Sequence, residues 1–431
     1  MKPIADRCLQ IRNSKMVCGL SLLSCMVLTT MRLEAQESRP WSQFRGPNGV
    51  GYLQKCSVPL PWKDSDVKWK VNLPGVGNAS PVIWGKTAYL FSGDAARKQR
   101  HMQALDLSTG KEVWRKSFAL TDHKMHSKNN YACASPCVDQ SGVYISYADP
   151  EQVVLVALTH SGVVRWEKQL GSFVSQHGFG ASPVVHDGTV VLWVSQDAEQ
   201  LPAGQAPGDS RILAFDAQTG SQKWSTSRIA TRTCYGTPTY YQADGVPALL
   251  FANTSEGVFA LDLATGKPMW NRQVFTQRSV SCPVVIGDTV IATEGAGNGN
   301  NFLHAVNLKG EHEKLFSLNR NIPYVPTPVV KDDLVFLWSD KGIVSCLKMQ
   351  GNEILWSERV GGNVSSSPVI AGDKLIGIAE DGTVTVLSAS SSFKNIGTVS
   401  LGEAIRSTPA VAEKFMLIRT DSKLLCIGDP S

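Results

Sequence analysis

A chain of 431 residues that is 42% hydrophobic and 18% charged is composed as a globular protein, which excludes a disordered or collagen-like one. The formal charge is +5, and residues 1–35 hold five Lys/Arg and two Asp/Glu. The remainder is nearly balanced and lacks the basic excess that phosphate tracking requires, so nucleic acid is not an expected partner. A coiled coil, a polytopic membrane protein and a basic nucleic-acid clamp are set aside on the same grounds.

In chain order, Lys2, Arg7, Arg12 and Lys15 precede an apolar run of 15 residues, Val17 to Met31, which is followed by Arg32-Leu33-Glu34-Ala35. The pattern predicts a signal peptide over residues 1–35, cleaved after Ala35. The run falls short of the ~20 residues a membrane span needs, and no later segment predicts one. Leu22-Leu23-Ser24-Cys25 gives a second reading, a lipoprotein anchored at Cys25. Three of the ten cysteines lie in this segment. The seven others are widely spaced and odd in number, so they read as small buried residues and not as a disulfide framework. Cys133 and Cys137 could still form one local bridge.

After an N-terminal extension over 36–65, a small residue followed by proline and a β-branched run recurs eight times, at Pro81, Pro136, Pro183, Pro238, Pro283, Pro328, Pro368 and Pro409. Each unit continues with a turn, a second apolar run, and a third run ending in sequences such as Ala104–Trp114, Ala214–Trp224 and Ala260–Trp270. Four short strands per 40–55 residues describe propeller blades. Trp114, Trp166, Trp224, Trp270 and Trp356 hold one place in the repeat as packing residues between sheets, with Phe316 and Ile396 as substitutes. The last unit, Thr408 to Asp429, lacks its fourth strand, and Asp66–Leu73 at the other end of the chain can supply it. Length alone suggests two or three domains at ~150 residues each. The repeat predicts one instead: an all-β, eight-bladed propeller of four-stranded antiparallel blades over 66–429, closed by an N-terminal strand that completes the last blade.

The A-x-D-x-x-T-G-x-x-x-W pattern resembles the repeat of pyrroloquinoline-quinone (PQQ) enzymes and of the BamB-like propellers of outer-membrane assembly. Trp41–Gly51 resembles the start of secreted PQQ-like proteins common in planctomycete bacteria. For a quinoprotein alcohol dehydrogenase, the resemblance implies adjacent cysteines over the cofactor, oxygen ligands holding Ca²⁺ against the quinone, and an aspartate base. The chain has no Cys-Cys pair, no matching acidic cluster and no C-x-x-C-H, so no catalytic residue carries over. Gly295–Asn301 is glycine-rich but joins two strands, and a phosphate cradle needs a helix to follow.

The segments that precede the inner strands, together with the loops between second and third strands, share one face. On it the sequence places Asn130, Tyr131, His177, Arg232, Tyr235, Arg278, Tyr324 and Arg406 as candidate ligand-binding residues of a central funnel, with Asn78 and Asn363 beside them. Three arginines and a histidine suit an anion. Tyr131, Phe179, Tyr235 and Tyr324 suit stacking on a sugar. Long loops at Gly93–His101, Leu120–Asn130, Asp197–Ser210 and Gly295–Asn301 make this face uneven, and loops on a rigid scaffold carry binding specificity. His123, His126 and His101 are too loosely placed to predict a metal site. The expectation is an exported, periplasmic or extracellular, non-catalytic binding or scaffold protein of the cell envelope, with a protein partner, no metal and no cofactor. The alternatives are a PQQ- and calcium-dependent or other redox enzyme with a divergent site, and a carbohydrate-binding propeller.

Overall fold

In the computed structural model the described residues are 41–430, apart from Lys124, Gln200, Pro202 and Asn298. The signal segment, with both readings of its fate, lies outside them. The described residues form eight sheets, seven of four strands and one of five, and contain no α-helix. Blade 1 is typical. Its inner strand Val82–Trp84 is followed outward by Thr87–Asp94, Gln99–Asp106 and Glu112–Ala119, all antiparallel. The predicted long loop Gly93–His101 is mostly ladder, because Asp94 still pairs with Gln99; only Ala95–Lys98 turn. Blade 8 takes Ala410–Val411, Phe415–Arg419 and Lys423–Gly428 from the end of the chain and Val67–Asn72 from its beginning. Val67 lies opposite Ile427 and Asn72 opposite Lys423, which is the closure the repeat predicts.

The A-x-D-x-x-T-G-x-x-x-W motif resolves into one relay. Asp106 Oδ1 accepts the backbone N–H and hydroxyl of Thr109 at 2.9 and 2.8 Å, a side-chain-capped turn. Gly110 then takes φ +71°, which only glycine adopts without strain. Against this turn lies the indole of the preceding blade, Trp69, whose Nε1 donates to Leu107 O at 2.7 Å. Trp114, Trp166 and Trp224 repeat the arrangement on the following blades. A Cβ on Gly110, Gly162, Gly220 or Gly266 would fall within 3.0 Å of the indole it faces. These four tryptophans are therefore packing residues, each with its N–H satisfied.

The small residue before each proline has its own task. Ser80 N–H donates to Ser135 Oγ, Ser135 to Ser182, Cys282 to Thr327, Thr327 to Ser367, Ser367 to Thr408, and Thr408 back to Ser80, all at 2.9–3.0 Å. A hydroxyl belt thus laces neighbouring blades near the axis, with Cys282 standing where a hydroxyl would be.

The stretch Trp41–Leu53 is built into the propeller. Trp41 O and Ser42 O accept from Ile83 and Val138 on the inner strands of blades 1 and 2, and Gly51 O and Leu53 O accept from Ile370 and Gly372 on blade 7. Tyr52–Leu53 adds the fifth strand, parallel to the inner strand of blade 7, and Asn48 exchanges two hydrogen bonds with Tyr240 of blade 4. These contacts fall at the far ends of the inner strands, opposite the funnel, so the segment plugs that end of the channel. From it, fully buried Arg45 donates to Thr327 O, Pro328 O and Pro368 O at 3.1, 2.7 and 3.0 Å.

The seven described cysteines are free thiols, so no bridge joins Cys133 to Cys137. Burial pushes the Cys133 thiol up to about 11.

Candidate functional site: the funnel

At the other end of the channel the blade 1–2 connection spans the mouth. Lys128 Nζ reaches Glu380 of blade 7 at 3.2 Å, Asn78 Nδ2 donates to Lys128 O, and the His126 ring meets the His177 ring edge-on at 4.7 Å. Asn130 and Tyr131 stand at the foot of this strap. Asn130 Oδ1 accepts the N–H of Ala132. The Tyr131 hydroxyl donates to His123 O, with the Arg100 guanidinium 5.9 Å from its ring centre. Both shape the strap itself.

Five of the predicted residues come together on the side of blades 3 to 5. Arg278, 6% exposed, lies 3.8 Å from Asp197, and its Nε and Nη2 have no hydrogen-bond partner. The Tyr324 hydroxyl sits beside that guanidinium, although burial dominates and raises its pKa. Tyr235 shares a hydrogen bond with Ser175 at 2.9 Å, and Arg232 donates to Gln176 Oε1 at 3.0 Å. His177 completes the group, and its Nδ1 is buried without a partner. Arg406 is apart, 3.8 Å from Glu380 on the blade 7–8 side. The aromatic residues do not make a stacking platform: Phe179 is buried, edge-on to Phe173 at 5.2 Å. The three histidines diverge as well, His101 onto Ser117, His123 onto Tyr131 and His126 onto His177.

Burial, then the positive charge of Arg278, then His126, lower the His177 imidazole from 6.5 to about 4. Between these values the unfolded chain takes up a proton that the folded ring refuses. This stability is therefore full above pH 6.5 and lost as pH falls through the window toward 4. His177→Gln is expected to flatten the fall in melting temperature between pH 7 and 4.5. The effect is on the order of 1 kcal/mol, well below the full shift because the ring is half-buried. Parallel pH slopes for both proteins would refute it.

Sequence reasoning missed the carboxylates. Asp197 Oδ2 and Oδ1 accept the N–H groups of Gln176 and Thr233 at 2.7 and 2.6 Å. Glu294 Oε2 accepts from Thr276 and Gln277, and Asp340 accepts from Tyr324 and Val325 at 2.6 and 3.0 Å. Each stands at the end of the second strand of its blade or just past it, and staples a neighbouring connection. The signal was present as a repeat, with Asp94, Asp149, Asp197, Asn253, Glu294, Asp340, Glu380 and Asp421 at corresponding places. Burial opposes ionisation of Glu380, but the Ser365 hydroxyl and the Lys128 ammonium outweigh it and hold the carboxyl below its usual range. The funnel is thus lined by acids already committed to the scaffold, with one buried arginine left under-used.

Comparison with known proteins agrees with this architecture. Residues 98–347 and 317–392 match the family described as outer membrane protein assembly factor BamB. The Yersinia pestis protein of that name is 24% identical over 374 residues, covering 79% of this chain and 78% of the relative. The crystal structure of BamB from Moraxella catarrhalis superposes with a TM-score of 0.62 at 14% identity, over 84% of this chain and 99% of that one. A europium-containing methanol dehydrogenase superposes with a TM-score of 0.69 at 12% identity, over 92% of this chain and 100% of that one. The structural likenesses concern the fold.

Proposed function

The chain belongs to the family of outer membrane protein assembly factor BamB, and we propose that it is an exported, non-catalytic propeller that binds a protein partner at the cell envelope through its long-loop face. The observation that carries this reading is the commitment of the funnel acids. A general base needs a carboxylate free to take a proton, whereas Asp197, Glu294 and Asp340 each hold two backbone amides. The same commitment leaves a poor donor set for a quinone held by calcium; among the described residues no group of three or more His, Cys, Asp or Glu gathers. The loops Asp197–Ser210 and Gly295–Asn301, with the strap Leu120–Asn130, are what distinguish this face from the bare repeat. No described helix is long and apolar enough to cross a membrane.

A second reading, a small anionic ligand in the funnel, is favoured by buried Arg278, whose Nε and Nη2 make no hydrogen bond although Asp197 lies 3.8 Å away. One pair of measurements separates the two. Photo-crosslinkers placed at Ala206 and Gly299 in intact cells should yield a discrete protein adduct, and the same probes at Gly85 and Gly188 on the opposite face should not. Adding PQQ with calcium to the purified protein should leave its melting curve unchanged, whereas a site filled at about 100 times its Kd would add ~2.7 kcal/mol. A calcium-dependent shift without an adduct would overturn the scaffold reading.

A further inference from the structure

The relay lacks its indole at two links, and one shows what the other can accept. At the blade 7–8 junction the outer strand carries Ile396 where other blades carry tryptophan. The chain covers that place with its own extension, Val58-Pro59-Leu60-Pro61-Trp62. Val58, Leu60 and Trp62 are buried in one cluster with Ile396, Val399 and Leu401 against it, and a Cβ on Gly397 would lie 2.9 Å from the Pro61 ring. A proline- and tryptophan-bearing segment outside the strand ladders therefore substitutes for the missing indole.

At the blade 5–6 junction Phe316 replaces tryptophan, and among the described residues nothing comparable covers it. Leu315 beside it is 46% exposed. The turn of blade 6 is displaced too, with Gly351 five residues before Trp356 where blades 1 to 4 have four. The space above Gly351 is clear of described atoms to 4 Å. The result is an open groove of about 590 Å³, lined in part by Ile286, Leu315, Phe316 and Met349 and in nearly equal part by polar groups that include Asp332 and Asp333. Asp333 Oδ1 accepts the N–H of Gln350 at 3.3 Å. A wall that is part apolar and part acidic is complementary to a large apolar side chain next to a cation.

We propose that this groove docks a short segment of a partner protein bearing proline and an aromatic residue beside a lysine or arginine, with its apolar side chains seated in the manner of residues 58–62 at the blade 7–8 junction. It lies on the face opposite the funnel, so it does not depend on the reading given above. The probe is a fluorescein-labelled peptide of residues 57–63, Ser-Val-Pro-Leu-Pro-Trp-Lys, titrated with the purified protein and followed by anisotropy. Saturable binding is expected, weakened about tenfold or more by Leu315→Lys, a substitution at an exposed position. The double change Asp332→Lys with Asp333→Lys should weaken it about fivefold or more, as should Lys63→Glu in the peptide. No saturation up to 1 mM, or binding indifferent to these changes, would overturn the proposal. So would a concentration-dependent dimer abolished by Leu315→Lys in sedimentation, which would give the groove to a second copy of the chain.

Discussion

Deleting residues 66–73 is expected to abolish the cooperative melting transition. The deletion exposes the edge of Lys423–Gly428 and leaves blade 1 without the indole that packs on Gly110. Losing a buried tryptophan alone costs ~3–5 kcal/mol, against a total stability of about 5–15 kcal/mol for a whole domain. The unpaired strand adds a row of unsatisfied backbone groups and a template for aggregation. Trp69→Ala, which keeps the strand, should retain a transition at lower temperature. Circular dichroism melts of the three proteins give the comparison, and an unchanged midpoint in the deletion would refute the closure.

Arg45→Met should be the most damaging single substitution in the plug. The guanidinium is fully buried and burial lowers its pKa to about 10, so it enters the channel at a cost that its hydrogen bonds must offset. Four of these run to Gly49 O, Thr327 O, Pro328 O and Pro368 O at 2.7–3.1 Å. Removing the guanidinium leaves those buried carbonyls without their donor, at ~1–3 kcal/mol for an unsatisfied group. Arg45→Lys should recover only part of this, since an ammonium cannot reproduce the planar fork. Melting temperatures and limited proteolysis report it: the variant should be cut between Trp41 and Leu53, where the parent resists. A midpoint within 1 °C of the parent, with no new cut, would remove Arg45 from the scaffold.

Much of the fold was legible because propeller blades repeat local chemistry. The Asp106-to-Trp114 motif states its own turn and its own packing residue, and the missing strand of the last unit could be counted. What escaped depends on contacts remote in sequence. Arg45 meets Pro368 across 323 residues and Lys128 meets Glu380 across 252, so neither plug nor strap has a local signature. At the funnel, the grouping of His177, Arg232, Tyr235, Arg278 and Tyr324 followed from their shared place before inner strands. Arg406 shares that place too, but its blade lies across the channel, where Glu380 holds it. The acids were readable as a repeat and passed over because a scattered carboxylate looks like a solvated one. The difference lies in the backbone amides that each accepts.

The closing blade also sets an order of events. Lys68 meets Asp429 across 361 residues, so the first strand of the ring has no partner until the last has been made. Contacts of such separation form late and slowly. A chain delivered from its N-terminus can assemble blades 1 to 7 in sequence, but it carries the unpaired edge of Val67–Asn72 exposed throughout delivery. During that interval the ring is vulnerable to mispairing with another copy, and chaperone dependence should fall most on the stage before the last strand arrives.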